Sequence, residues 1–426
     1  MNQDQITVQS DGQYGLALKT DRPLKLLVIN CGSSSLKFAV FDTMDTDTFA
    51  RGEVERIGLA NTRLTLTASQ GEKVRLLDDN SHQGALGAML DTLESVGIVQ
   101  GLDDIAVVAH RSTLGGEKYK GAVEVTDQVI GVMEGYIPLF PVHNPSIIKG
   151  IRLAQALLPN AVHFTVFDSS FHSTIPDFAY IYALPYAYYR DKGLRRFGYH
   201  GSSHQYASLR SAQFLGHAVT ALKTIVCHLG NGASICAIDG GRSVDTTLGF
   251  SPVDGLIMGT RGGELDPGLL LHLMKVEGLQ YDALAELINQ KSGLLGLSGI
   301  SSDMREVELA AIQGNPRACL TINAYTYRIR KYIGAYIAAL EGLDALVFTG
   351  GIGQGSARVR HLACRGLSHM GIRLDEEKNT TADGFNEITD IAAKDSLVRI
   401  LVIPADEERM IARETLSALK NCRCAC

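Results

Sequence analysis

The segment Asn30-Cys31-Gly32-Ser33-Ser34-Ser35, with Lys37 two residues on, gathers backbone N–H groups, three hydroxyls and an ammonium into one short turn. That combination suits a phosphate. It also suits a plain surface hairpin, because Gly and Ser are ordinary turn formers. A second turn, Gly230-Asn231-Gly232, lies between two apolar segments much later in the chain. Two such hairpins facing one another grip the β- and γ-phosphates of a nucleotide from both sides. A third segment, Gly350-Gly351-Ile352-Gly353-Gln354-Gly355, follows an apolar run and lets a flat ring approach the backbone.

Two arginines stand in glycine-rich surroundings. Arg111 lies in Ala109 to Gly116, read as a loop after a strand over Ile105 to Val108, and Arg261 lies in Met258 to Gly263. Ordering a flexible side chain costs rotamer entropy, which a two-pronged bond to phosphate or carboxylate offsets. A solvated surface arginine is the plainer alternative for each. His143, His172, His200 and His204 lie beside these loops or open helices, where a structural role competes with a chemical one. Asp168, Glu407 and Glu408 end near strand termini and suit Mg²⁺, which takes one or two carboxylates with waters and phosphate oxygens. Glu407 or Glu408 also suits a helix N-terminus. Anion clamps, paired turns and acidic metal ligands, without a nucleophile triad, point to phosphoryl transfer, where positioning and charge neutralisation supply most of the rate.

Those residues need strands to aim them. Leu24 to Asn30 and Leu36 to Asp42 read as the two strands of one hairpin, and Thr224 to His228 with Ser234 to Ile238 as a second hairpin of the same kind. This similarity predicts two related α/β domains across a ligand-binding cleft. Asn144-Pro145 opens a helix to about Leu158, Phe164 to Asp168 forms a strand ending in a carboxylate, and helices follow at Ser203 to Leu215, Pro267 to Lys275, Asp303 to Gln313 and Pro316 to Leu340. Ala345 to Thr349 and Val398 to Ile403 complete the strands, and Asp406 caps a last helix that returns to the first domain. The expected division is an extension over 1–23, a first domain over 24–169 plus 405–426, and a second over 170–404.

The 426 residues favour two domains, and 44 glycines, about 10% against roughly 7% in ordinary proteins, fit many tight turns. A net charge of -6 argues against nucleic-acid binding, which needs a basic face. No apolar run approaches the ~20 residues that cross a bilayer, and residues 1–23 lack the apolar core of a secretory signal. Five of the eight cysteines, Cys31, Cys227, Cys236, Cys319 and Cys364, are scattered singly, as in a reducing cytoplasm. Cys422, Cys424 and Cys426 read as a frayed tail. The expectation is a cytoplasmic enzyme acting on a small molecule.

At these positions the chain resembles the acetate kinase family of short-chain carboxylate kinases, from about Leu24 to Leu419. The resemblance runs through VINCGSSSLKF, HNPSII, VFDSSFH, RRFGYHGSSH, HLGNGASICAI, GFSPVDGLIMGTR, SGLLGLSGISSDMREV and VFTGGIG. It implies a two-domain actin-like ATPase fold of ribonuclease-H-like type, with a duplicated core and an interdomain cleft. It also implies exchange of ATP and acetate with ADP and acetyl phosphate, Mg²⁺ (or Mn²⁺), and a homodimer. The implied roles follow the matching positions. Asn30 and Glu407 organise the metal with Asp168; Arg111, Arg261, His200, His143 and Asp168 serve catalysis. Thr113, Val142, Tyr199 and Pro252, with Arg111, hold the carboxylic acid. Ser33, Ser35, Lys37, His228, Gly230, Asn231 and Gly232 hold phosphates, while Asp303, Met304, Arg305, Gly351, Ile352, Gly353, Gln354 and Gly355 surround adenosine.

The chain departs from the usual family pattern in two places. Ser112-Thr113-Leu114 replaces V-V-H, and Gln354-Gly355 replaces E-N after G-I-G. Val142 stands where Leu is common, leaving room for a methylene, so propionate is the alternative substrate; one methylene is worth ~1–3 kcal/mol. The remaining alternatives are a catalytically impaired nucleotide-binding homologue and an ATP-dependent binding switch.

Overall fold

Leu26 and Val28 belong to one hydrophobic cluster, Leu27 and Ile29 to another. Alternate residues of a single strand therefore face two different cores, as expected when a sheet is covered on both sides. The computed structural model describes residues 14, 18, 20, 23–43, 48–139 and 144–423. The chain divides into two compact units, Met1–Ser170 with Asp406–Cys426, and Phe171–Ala405.

The first unit holds strands β1 (Lys25–Cys31), β2 (Ser35–Asp42), β3 (Thr48–Glu55), β4 (Arg63–Ala68), β5 (Gly71–Leu76), β6 (Ile105–Ser112), β7 (Ala122–Glu124) and β8 (Val162–Phe167), in the order β5-β4-β3-β2-β1-β6-β8-β7. On one face the helices His82–Ser95 and Asn144–Leu157 cover Leu27, Ile29, Phe38 and Val40 through Leu86, Met89, Leu93 and Ala154. On the other, Ile411, Ala412, Leu416 and Leu419 of the C-terminal helix Glu407–Arg423 pack on Leu26, Val28, Ala39 and Phe41. Each such side chain contributes about 1.5–3 kcal/mol on leaving water. Gly150 brings the helix Asn144–Leu157 close to the first turn, since a Cβ there would lie 2.8 Å from Cys31 Sγ.

The second unit contains β9 (Lys223–Leu229), β10 (Ala233–Asp239), β11 (Arg242–Thr246), β12 (Ala345–Thr349), β13 (Thr389–Asp390) and β14 (Arg399–Val402), in the order β11-β10-β9-β12-β14-β13. Its longest helix, Pro316–Leu340, buries Ile322, Tyr325, Ile329, Ile333, Tyr336 and Leu340 at helical spacing. Asn315 caps it by accepting from the Arg317 and Ala318 N–H groups.

Five strands of each sheet share one connectivity. In β3-β2-β1-β6-β8 and in β11-β10-β9-β12-β14 the first two pairings are antiparallel and the last two parallel. The duplication expected from two hairpins thus extends to five strands, and the mixed α/β class with a duplicated core is borne out.

Two local expectations need correction. Arg111 does not follow the strand but lies within it, because β6 continues to Ser112 with Arg111 opposite Val166 of β8. The Gly350–Gly355 segment is a helical turn rather than an open loop.

Candidate active site

In the first unit, β1 and β2 pair Asn30 with Lys37 and Cys31 with Leu36, so the serine turn is a tight antiparallel reversal. Gly32 N–H donates to Ser35 O at 2.8 Å, closing it, and Ser33 and Lys37 are exposed. His82, at the start of its helix, places Nε2 2.9 Å from Gly32 O, a support that sequence reasoning missed. Glu53 of β3 stands opposite Lys37. Burial pushes its carboxyl up, Lys37 opposes that, and Glu55 and Glu408 add to it.

Parallel pairing of β6 with β8 brings Arg111 to Asp168, the residue that follows β8. Arg111 Nε donates to Asp168 Oδ1 at 3.1 Å and Nη2 to Oδ2 at 2.6 Å, a fork that matches a carboxylate. Glu407 Oε2, on the first turn of the C-terminal helix, lies 3.5 Å from the same Nη2. Burial alone would lower the pKa of this guanidinium, but Asp168 and then Glu407 more than offset that and raise it. Burial, and then the charge of Glu407, raises the Glu408 carboxyl. One arginine therefore meets a surplus of carboxyl oxygens, a donor set that fits a hard divalent cation. Asn30, half-buried at the end of β1, is the neutral oxygen of the expected set.

Thr113 Oγ1 donates to Asn144 Oδ1 at 2.7 Å, and Asn144 Nδ2 donates to Met133 O at 2.9 Å. The hydroxyl that replaces an apolar residue thus has a structural partner, and the Asn144 amide ties neighbouring segments together. Val142 and His143 lie outside the described residues.

In the second unit, His200 precedes the helix Gly201–Leu215 with a left-handed backbone, φ 60°. Such a conformation costs of order 1 kcal/mol in a non-glycine residue and persists only where its surroundings fix it. Here the ring is fixed: Nδ1 lies 2.9 Å from Ser234 Oγ, and the His228 ring is 4.5 Å away. His228 Nδ1 in turn bonds Ser203 Oγ at 2.7 Å.

The turn between β9 and β10 lies against this ring, for a Cβ on Gly232 would sit 3.3 Å from His200 Nε2 and 3.7 Å from Arg261 Nη1. The loop carrying Arg261 docks on the same turn, with Gly259 N–H donating to Asn231 O at 2.9 Å. A Cβ at Gly259 would fall 1.9 Å from Asn231 Oδ1, so any other residue there would have to displace the Asn231 amide from its position. Arg261 Nη1 donates to Pro252 O at 3.1 Å and has no ion pair among the described residues. Burial lowers its pKa with no carboxylate to oppose it. Gly232, Asn231, His200, Arg261 and Pro252 are thus brought together; Tyr199, buried beside His200, donates its hydroxyl to Phe250 O at 2.7 Å.

Thr349, the last residue of β12, pairs with His228, so the helix Gly350–Gly355 starts beside the second turn. Ser356 Oγ donates to Glu308 Oε1 at 2.6 Å, linking the end of that helix to the helix Met304–Ile312. Gly351 and Gly355 are exposed and Ile352 half-buried, whereas two expected nucleotide contacts are not available as side chains. Met304 is buried in the core. Gln354 is buried too, donating to Gly384 O at 2.8 Å and accepting from Ala405 N–H at 3.2 Å. Asp303 caps its helix and holds Arg305 through a two-pronged contact. Arg360 was not anticipated; fully buried, it donates to Gly353 O at 2.9 Å and Gln354 O at 2.7 Å, which stabilises a helical turn of poor intrinsic propensity.

The model of the acetokinase family matches residues 25–413. An acetate kinase of Phocaeicola vulgatus is 46% identical over 401 residues, 93% of this chain and 100% of that protein. The crystal structure of Porphyromonas gingivalis acetate kinase superposes with a TM-score of 0.85 at 44% identity, covering 93% of this chain and 100% of that one. A propionate kinase from Francisella tularensis gives 0.86 at 36% identity, covering 92% and 99%. The chain belongs to the acetokinase family.

Proposed function

We propose that the chain is an acetate kinase that moves the γ-phosphoryl group of ATP to acetate and back. The observation that carries this is Arg261: a half-buried guanidinium without a carboxylate partner among the described residues, beside the glycine turn and His200, is a site prepared for an anion. A carboxylate oxygen attacks the γ-phosphorus in line, the new O–P bond forms as the bridging O–P bond breaks, and ADP leaves. No covalent enzyme intermediate is needed. Arg111 binds the acid's carboxylate, while Arg261 and His200 stabilise charge on the equatorial oxygens. Asn231, Gly232, Ser33, Ser35 and Lys37 hold phosphates, and Gly351 and Ile352 border the adenosine. Asp168, Glu407 and Asn30 hold Mg²⁺, which neutralises phosphate charge when bound.

Hydroxamate trapping with Mg·ATP and acetate, propionate and butyrate in parallel tests this reading. Acetate reacting fastest is the expected result, and propionate fastest moves the assignment to the second substrate. Silence with all three overturns both in favour of a nucleotide-binding homologue.

A cytoplasmic homodimer completes the reading. No helix among the described residues is long and apolar enough to cross a membrane. The helix Pro267–Lys275 carries four leucines and a methionine, buries none of its residues, and leaves Leu271 66% exposed. An apolar helix of this kind fits a subunit interface; light scattering of the purified chain gives the mass that checks it.

A further inference from the structure

We propose that Ser234 and His204 are positioning residues that hold the imidazole of His200 in its Nε2–H tautomer. The reasoning is a proton count along one chain of hydrogen bonds. Ser234 Oγ lies 2.9 Å from His200 Nδ1 and 2.8 Å from His204 Nε2, and Ser234 and His204 are fully buried. His204 Nδ1 has no hydrogen-bond partner. A buried N–H without an acceptor costs more than an unused lone pair, and orphaned buried N–H groups are rare. The proton of a neutral His204 therefore belongs on Nε2, which donates to Ser234 Oγ.

Ser234 then has one proton to give and one partner left, the Nδ1 of His200. If His200 carried its proton on Nδ1, or on both nitrogens, the serine oxygen would accept twice and its own hydrogen would be stranded in the core. The low-cost arrangement is a single directed chain, from His204 Nε2–H to Ser234 and from the serine hydroxyl to His200 Nδ1. Burial and the neighbouring His172 and His228 rings keep His204 neutral, which the chain requires. Its outcome is an N–H at His200 Nε2, the atom nearest the Gly232 position. The functional consequence rests on the proposed phosphoryl transfer: that N–H would meet a phosphoryl oxygen as a donor, without a change of protonation during the reaction.

The test is nitrogen-15 NMR of the full chain labelled at histidine, with the His200 signals assigned through His200→Gln. The expected spectrum has His200 Nδ1 in the unprotonated range and Nε2 in the proton-bearing range. In Ser234→Ala and in His204→Leu the two signals should move toward a mixture of tautomers. His204→Gln, whose amide N–H replaces Nε2–H, should restore the wild-type pattern. In parallel, Ser234→Ala should lower kcat about tenfold with KM for ATP and acetate changed by less than about threefold, and His204→Gln should recover most of kcat. A wild-type His200 protonated at Nδ1, or tautomer signals unchanged in Ser234→Ala, overturns the proposal. Failure of the chain to phosphorylate any short carboxylate would instead overturn the proposed function, and the wild-type spectrum would still decide the tautomer.

Discussion

Arg111 grips Asp168 with both prongs of its guanidinium, at 3.1 and 2.6 Å, while Arg261 reaches the backbone carbonyl of Pro252 and the Met258 sulfur, both uncharged. The first charge is neutralised by the fold and the second is not. Substituting each should therefore affect stability differently although both lower turnover. Arg261→Gln removes a half-buried charge that has no counter-ion among the described residues, so its melting temperature should equal or exceed that of the wild type. Arg111→Gln leaves Asp168 and Glu407 facing each other and should melt several degrees lower. Both should lose about 10²-fold or more in kcat/KM for acetate. Calorimetry and the hydroxamate assay on the two variants check this, and a lower melting point for Arg261→Gln would remove the argument for a vacant anion site.

Asp168→Asn separates the structural from the chemical role of that carboxylate. The side chain is only 7% exposed, and losing its charge leaves Arg111 with Glu407 at 3.5 Å as its remaining ion-pair partner. The pair is partly screened because Arg111 is 21% exposed, so a loss of about 2 kcal/mol is expected rather than the larger figure for a sealed pair. Denaturant unfolding without ligands measures it. If Asp168 also helps hold the metal, the variant should need more Mg²⁺ for half-maximal activity.

Part of the acid sensitivity should arise at a buried histidine pair in the first sheet. His110 on β6 is buried and stacks on His163, with Nε2 3.1 Å from His163 Nδ1. Burial, helped by His163, pushes its pKa down from 6.5 to about 3. Between those values the unfolded chain takes the proton and the folded chain does not. Stability from this group is complete above about pH 6.5 and declines as pH falls, by about 2 kcal/mol at about pH 5. Urea midpoints for the wild type should fall between about pH 7 and about pH 5, and His110→Gln should flatten that dependence.

Much of the scaffold is written in periodicity. Leu24 to Asn30 and the Asn315-Pro316 cap with its apolar ladder are local patterns, and their elements appear within a residue or two of the expected bounds. A strand read to end at Val108 leaves Arg111 in a glycine-rich loop, whereas β6 runs on through His110, Arg111 and Ser112. The sheet accommodates them through partners 50 or more residues away: His163 for His110, Thr165 for Ser112 and Asp168 for Arg111. The Gly350–Gly355 helix carries little local signal, because its glycines have poor helix propensity and the side chain that stabilises it, Arg360, comes from the next helix, six and seven residues beyond the carbonyls it bonds. The candidate residues were found by type and motif, whereas Ser234, Ser203 and His82, which hold them, carry no signal of their own. The available clue was the spacing of four between His200, just before the helix Gly201–Leu215, and His204 in its first turn.

Gln354 gives the last prediction, because the family commonly has Glu there. Its amide nitrogen donates to Gly384 O at 2.8 Å and its oxygen accepts from Ala405 N–H at 3.2 Å, both inside the unit. In Gln354→Glu the oxygen can keep Ala405, but the other atom becomes an acceptor facing the Gly384 carbonyl. A buried acceptor left opposite another acceptor costs about 1–3 kcal/mol, more if it stays ionised. The carboxyl should therefore take up a proton, which restores a donor to Gly384, so the variant should be less stable than the wild type at neutral pH and approach it as pH falls. Because Gln354 is used in packing rather than left exposed, KM for ATP should change by less than about threefold. Urea midpoints at two pH values, with ATP kinetics beside them, decide it: a large rise in KM at unchanged stability would place this side chain at the nucleotide instead.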